Sequence, residues 1–517
     1  MRPLHLIQTA LLMALLSIAA PAQAVAADAQ RIFDAHAYTG TVSEGIAALE
    51  VRLKAAPRDE NAALAKGILE IMEAARRLSE TARRRIRPVD LRSSWIGGFG
   101  VFSRFTALPP AGGSGLSADY EPMTYRALRS MLERFVADLE RAEATLATVQ
   151  SPSVKLRVRP FRIGFDNDGN GRVDPQERVL IQFLGAAMPR VLRNLSNNNI
   201  ENSELAFDAA DASWFQGYTN LVLGTTKLLL AVDFERTYDA VGHWGYGLKA
   251  TALGRMLEQD SASSDESPET AARRRELQTQ LDALPTRAAL STELADIRRK
   301  LRALPRTGPG SEPRDALNTR QVEILATRGD VRRKRRALQR QLRELDPARA
   351  PDRLRQYAIF ADLIAGLHTL NMPVISRKSM EEFRQHLIKV CDLNKTTWQR
   401  ARAETDNDRE WLPNAKQTPP FSAPVVTDDI IDAWLKTTGL LRHVLNGKTL
   451  IRHPRFAKGV NVKRFLETTP EFDPVMIATG HALQPYLQDG EALDGQTLDA
   501  LMRPMGRNAG TFAVWFN

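Results

Sequence analysis

The sequence predicts a mainly α fold: a multi-helix body, one short strand leading into an EF-hand-type loop, and an inserted coiled-coil helical hairpin. Three observations carry this. Apolar residues recur at three- and four-residue spacing through most of the chain. Residues 166–177 read Asp-Asn-Asp-Gly-Asn-Gly-Arg-Val-Asp-Pro-Gln-Glu, the donor spacing of a twelve-residue calcium loop. Leucine, isoleucine and valine recur at heptad spacing within 259–352, a segment rich in arginine. The chain therefore divides into a signal peptide (1–24), a first body segment (25–258), the basic hairpin insertion (259–352) and a second body segment (353–517).

The N-terminus carries Arg2, an apolar run from Leu4 to Ala20, and Pro21-Ala22-Gln23-Ala24. This pattern fits a secretory signal peptide, and cleavage after Ala24 or Ala27 satisfies the small-residue rule. No cysteine lies near the cleavage site, so the expected location is periplasmic or secreted without a lipid anchor. No later stretch approaches the roughly 18 apolar residues of a membrane-spanning helix. The lone cysteine, Cys391, leaves no partner for an intramolecular disulfide, and its flanks Leu387, Ile388, Val390 and Leu393 suit a buried thiol.

Helical period runs from about Asn61 to Arg83 through Leu64, Ile68, Ile71, Met72, Ala75 and Leu78. Residues 93–122 break it: Trp95, Phe99, Val101, Phe102 and Phe105 are interleaved with glycines ahead of Pro109-Pro110 and Gly112-Gly113-Ser114-Gly115, a long loop with apolar anchors. A helix follows over about 123–149. Val154, Leu156 and Val158 then alternate with Lys155, Arg157 and Arg159, the period of a strand.

In the loop that this strand enters, Asp166, Asp168 and Asn170 stand at positions 1, 3 and 5. Arg172 offers its carbonyl at 7, Asp174 stands at 9 and Glu177 at 12, and Gly171 fills position 6, where the backbone turns sharply. Calcium explains the spacing, because it takes six to eight oxygens from alternate residues of a tightly wound loop. Asp174-Pro175-Gln176-Glu177 is also a helix start, with an N-cap, a proline at the first position and a capping-box glutamate. The two readings are compatible, since the exiting helix of such a loop begins there, and Val179, Leu180, Phe183 and Leu184 have helical spacing. The strand-like approach and the absence of a second such loop favour a structural Ca²⁺ over a sensor.

Asp208–Tyr238 presents an apolar face with Asp211, Trp214 and Tyr218 on one side of a helix, read as packed aromatics beside a capped polar group. In the insertion, Leu290, Leu294, Ile297, Leu301 and Leu304 face Leu317, Ile324, Val331, Leu338 and Leu345, with a Gly/Pro-rich link from Arg306 to Pro313. Residues 271–350 hold 20 Lys and Arg against 10 Asp and Glu, so this segment supplies the whole net charge of +10. Such an arm suits an anionic envelope polymer, a membrane surface or an acidic protein. Nucleic acid is not an expected partner, given export and the lack of a recognition motif. Helical pattern resumes beyond Asp352 and runs to Ala403, followed by an acidic stretch in which Asp406, Asp408 and Glu410 alternate; helix termination and pairing with arginine are expected there. Thr427-Asp428-Asp429 caps a helix containing Trp434, and the terminal Phe512–Asn517 is expected to dock on the body.

No pair of histidines has the spacing of a zinc-hydrolase helix, and no phosphate-cradling glycine loop occurs. The first places to look for chemistry are His243 with Asp239 and Trp244, and Asp406 with Asp408. Several stretches together resemble an exported, uncharacterised bacterial family with a single EF-hand-type loop: Arg126–Val149, the loop itself, Asp208–His243, Ala403–Gln417, Val426–Asn461 and Ala513–Asn517. The resemblance covers most of the chain outside 259–352 and implies a mainly helical fold with calcium at Asp166, Asp168, Asn170, Asp174 and Glu177. It carries no activity. The expected function is thus a calcium-binding exported helical protein, a binding or scaffold component of the cell envelope. The alternative is a calcium-stabilised hydrolase acting on envelope polymers.

Overall fold

A computed structural model describes residues 28–86, 121–165, 173–174, 177–178, 203–262, 268–285, 287–304, 312–345, 352–418 and 426–504. The apolar run of the leader, the glycine-rich segment at 93–120, the Asp166–Arg172 donors, the helical pattern after Val179 and the terminal Phe512–Asn517 lie outside them. The chain is mainly helical and divides into two compact units, one built from residues up to Thr251 and from Ala365 onward, the other from Ala252–Ile364.

In the first unit several helices start where short polar side chains take up free backbone amides. After α1 (28–36) and α2 (Val42–Ala55), Asp59 accepts from Ala62 N at 3.1 Å and starts α3 (Glu60–Arg85). Thr124 Oγ1 does the same for α4 (Tyr125–Leu146), at 3.2 Å. Strand β1 (Leu156–Val158) pairs antiparallel with β2 (Leu205–Phe207), with Arg157 opposite Ala206. Asp208 follows β2 directly and caps α5 (Ala209–Ala231) in a reciprocal capping box with Asp211. The aromatic row expected on this helix is present, with Trp214 and Tyr218 rings 4.6 Å apart.

The helix expected over Asp208–Tyr238 is broken. Val232 is extended and pairs with Val374, Asp233 N donates to Pro373 O at 2.8 Å, and α6 runs from Glu235 to Tyr246. The cause is Asp233, whose carboxylate accepts from Tyr125 Oη at 2.8 Å and from Glu235 N at 3.0 Å, so the chain leaves one helix and starts another.

After α11 (Asp352–His368), most of which belongs to the second unit, β3 (Met372–Pro373) leads into α12 (Arg377–Ala403). Helices α5 and α12 share the most extensive helix interface of the unit. Gly224 permits their approach: a Cβ there would stand 3.2 Å from His386 Cβ. At the same level Asn220 Oδ1, fully buried, meets His386 Nδ1 at 2.8 Å. Thr427 caps α13 (Asp428–Leu445) as expected. Two-residue strands then make the C-terminal part: β3 pairs with Glu471–Phe472, and a four-stranded sheet centres on Leu450–Arg452 and Gly459–Val460. The main core joins Phe33, Leu49, Leu64, Leu69, Leu156 and Phe207 to Trp398, Trp411 and Trp434; Trp398 is wholly buried.

The second unit contains α7 (Ala252–Ala262), α8 (Pro268–Asp282), α9 (Arg287–Ala303) and α10 (Glu312–Glu344). Leu290, Leu294, Ile297 and Leu301 pack with Leu317, Ile324 and Val331, part of the rows read from the heptads; Leu304, Leu338 and Leu345 of those rows do not belong to this cluster. Arg320 reaches Glu293 at 2.8 Å and Arg314 reaches Leu301 O at 2.8 Å, pairings that fix α9 and α10 as antiparallel. The sequence pattern did not show that α8 also packs along α10, burying Leu277 and Leu281; Arg335 Nη2 donates to Leu284 O at 3.2 Å. Arg332, Arg333, Lys334 and Arg336 are exposed on α10. Among the described residues no helix is long and apolar enough to cross a membrane.

Candidate cation sites

Of the loop donors predicted from sequence, Asp174 and Glu177 are described; Asp166, Asp168, Asn170 and Arg172 are not. The ends of the loop meet. Gly164 bridges Arg178 and Phe165 N donates to Glu177 O at 3.3 Å, so the twelve residues return to their starting point. Only glycine fits at 164, where a Cβ would lie 2.4 Å from Val173 Cγ1 and 2.7 Å from Glu177 O. Phe165 anchors the base in the main core. Glu177 is 6% exposed, and its Oε2 accepts from Asp174 N at 2.9 Å, as the helix-start reading requires.

A second acidic site is assembled from distant parts of the chain. Strand β2 delivers Asp208 to the N-terminus of α5, and α12 ends at Glu404. The chain then returns along β2: Ala206 N donates to Arg409 O at 3.2 Å, and Glu410 bridges Ala206 in parallel. Arg409 holds φ at 65°, the left-handed region, and the next side chain is nearly sealed, Glu410 being 2% exposed. Trp411 then packs against Phe207 and Trp214. Carboxylate oxygens of Asp208, Glu404 and Glu410 lie within 4.8 Å of one another, close enough to hold one metal ion. Asp406, Asp408 and Glu410 form another such group.

The two groups differ in how their charge is met. Lys155, just before β1, places Nζ 2.5 Å from Asp406, 2.8 Å from Asp408 and 3.6 Å from Glu410. A lysine thus takes the place of the arginine expected to pair with this stretch. Burial alone would lower the Lys155 ammonium, but the Asp406 and Asp408 carboxylates outweigh it and hold it above the usual lysine range. The same contact holds Asp408 below the usual carboxylate range.

The inner group has only the longest of these contacts, from Lys155 Nζ to Glu410. Both Glu410 oxygens are buried without a hydrogen-bond partner, as is Oδ1 of Asp211 just behind. Asp208 Oδ1 accepts from Ala210 N at 2.7 Å, and Asp211 Oδ2 accepts from Asp208 N at 3.0 Å. Gln417 Nε2 donates to Glu404 Oε2 at 3.3 Å. Arg400, nearby, is committed to Ala209 O at 2.8 Å and Ser213 Oγ at 2.7 Å. Burial, and then the proximity of Asp208, push Glu404 up to about 9 and Glu410 up to about 7. Burial likewise drives Asp211 well above the usual range, with Asp208 adding to it. Carboxylates crowded in a dry pocket must be neutralised by protons or by a cation.

The other residues singled out from sequence do not converge. His243 is 3% exposed, with its ring edge-on to Trp244 at 6.0 Å, while Asp239 faces solvent. Cys391 is buried, and burial pushes its thiol up to about 12, which removes it as a nucleophile. An open groove of about 1010 Å³ lies between α3 and α4, lined by Arg77, Arg84, Arg134, Arg141, Glu80 and Asp138 among others, and none of the residues above borders it. Compared with protein-family models, curated proteins and solved structures, the chain matches none.

Proposed function

We propose that the chain is an exported, calcium-binding helical protein in which the ion has a structural role, and that it serves as a binding or scaffold component of the cell envelope. The observation that carries the reading is the closed base of the 166–177 loop, which makes the strand leading in and the segment leading out share one bridge beneath a complete set of oxygen donors. Calcium at Asp166, Asp168, Asn170, Asp174, Glu177 and the Arg172 carbonyl would tie β1 to the helix expected after the loop. Outside the cytoplasm calcium is often near millimolar, so a single weak site suffices. Calorimetric titration of residues 25–517 with calcium is expected to lose one equivalent when Asp166→Ala is introduced. No heat at millimolar calcium, with the variant indistinguishable from wild type, would sink the reading.

Scaffold is favoured over hydrolase because the acidic side chains are either committed or sealed. Asp406 and Asp408 are held by Lys155, and Glu410 is 2% exposed, out of reach of a polymer. The partner proposed for the 259–352 arm is an anionic envelope polymer, membrane surface or acidic protein, supported by the exposed basic run on α10.

A further inference from the structure

We propose that Asp208, Glu404 and Glu410 form a second cation site, separate from the 166–177 loop, which takes a hard divalent ion such as Mg²⁺, Ca²⁺ or Mn²⁺ and fastens the first turn of α5 to the last turn of α12. The proposal does not depend on calcium binding at the loop.

The donors are carboxylate oxygens only, the set that hard divalent ions select over softer metals. Their mutual separation of at most 4.8 Å matches one shared ion, since oxygens on opposite sides of a cation with bonds of about 2.0–2.6 Å stand roughly 4–5 Å apart. The independent observation is Glu410. It is 2% exposed and both of its oxygens lack a hydrogen-bond partner, a costly arrangement unless something meets the charge. One cation approaches it without hydrogen bonding to it. Lys155 stands 3.6 Å away on the outer side and is engaged more closely by Asp406 and Asp408. Arg400 spends its guanidinium on Ala209 O, Ser213 Oγ and Gln150 Oε1. Asp211, fully enclosed behind Asp208, adds acid to the pocket. A divalent cation supplies the missing partner for Glu410. The outer group differs because an ammonium already occupies its centre.

The position gives the ion a structural consequence. Asp208 caps α5, Glu404 terminates α12, and Glu410 is held against β2 by the 206–410 bridge. One ion joins the start of α5 to both ends of the 404–410 segment, which is remote from it in the chain.

The test uses residues 25–517 carrying Asp166→Ala and Asp168→Ala, so that the loop does not compete. After chelation, Mg²⁺, Ca²⁺ and Mn²⁺ are titrated separately at pH 8. The expected result is one equivalent of at least one ion, retained when Asp408→Asn is added and lost when Glu410→Gln is added. Glu410→Gln should melt no lower than its parent in chelator, because a buried charge has been removed, and should gain no stability from the ion. If that variant does not fold, Glu404→Gln makes the same test. Absence of binding up to millimolar concentration of all three ions overturns the proposal. So does binding that survives Glu410→Gln, or binding that Asp408→Asn abolishes, which would assign the ion to the outer group.

Discussion

Arg409 is the one described non-glycine residue with positive φ, at 65°. A left-handed backbone costs an L-residue roughly 1–2 kcal/mol. Its position explains the cost: the turn comes just before Glu410, which the pocket seals, and its carbonyl accepts from Ala206. Arg409→Gly is therefore expected to raise stability by about 1 kcal/mol, and a β-branched Arg409→Val to lower it by a similar amount, as read from denaturant midpoints. Equal midpoints for all three proteins would remove the strain argument. At this scale the sequence was informative where a residue's neighbours decide its fate: apolar flanks marked Cys391 as buried, and Thr427 announced itself as a cap. It was silent where partners are remote. Nothing near Lys155 in the chain signals that Asp406 and Asp408 will hold it.

Elements were legible in proportion to their length. The helices read from periodicity at 61–83 and 123–149 correspond to α3 and α4, because a 3.6-residue repeat over many turns outweighs local noise. The two-residue strands of the C-terminal sheet give no period to read, and the break at 232–234 is set by a tertiary bond from Tyr125 to Asp233. Half of the acidic pattern was visible: Asp406, Asp408 and Glu410 alternate. The inner group was not, since its members lie at 208, 404 and 410. Its electrostatics fix a pH dependence for the junction between α5 and α12. Glu404 and Glu410 stand above their ordinary value of 4.5, at about 9 and about 7. Their contribution to stability is full below that ordinary value and is lost as pH rises through about 7 and then about 9. Asp408, Glu73 and Glu381 are shifted downward, so their contribution changes only on acidification below the ordinary carboxylate range. His386, held below its ordinary value of 6.5 by burial, acts in the opposite sense up to that value, so denaturant unfolding in chelator is expected to show stability falling between pH 7 and pH 9; a flat or rising profile there would contradict the protonation scheme.

For the molecule as a whole, charge is concentrated in one stretch. Residues 271–350, within Ala252–Ile364, carry a balance of +10, and the rest of the chain is balanced. Helical content and heptad rows in this segment were readable, whereas the third helix packed on α10 was not, because its few apolar contacts, Leu277 and Leu281, are too sparse to declare a face. Combined substitution of Arg332, Arg333, Lys334 and Arg336 by glutamate is expected to abolish salt-sensitive retention on anionic vesicles or polymers while leaving the helical content unchanged. Retention equal to wild type at low salt would refute a binding role for the arm.

The pairing of α5 with α12 also dictates an order of events during folding. Residues 209–231 leave the ribosome well before residues 377–403, with an entire unit of the chain synthesised between them. Until the later helix arrives, Asn220 and the small surface around Gly224 have nothing to pack against. Closing so distant a contact is an entropic bottleneck that local helix formation cannot shorten. The body therefore completes its core only after most of the chain exists, and the early helices must wait in a partly exposed state that a holding chaperone would be suited to protect.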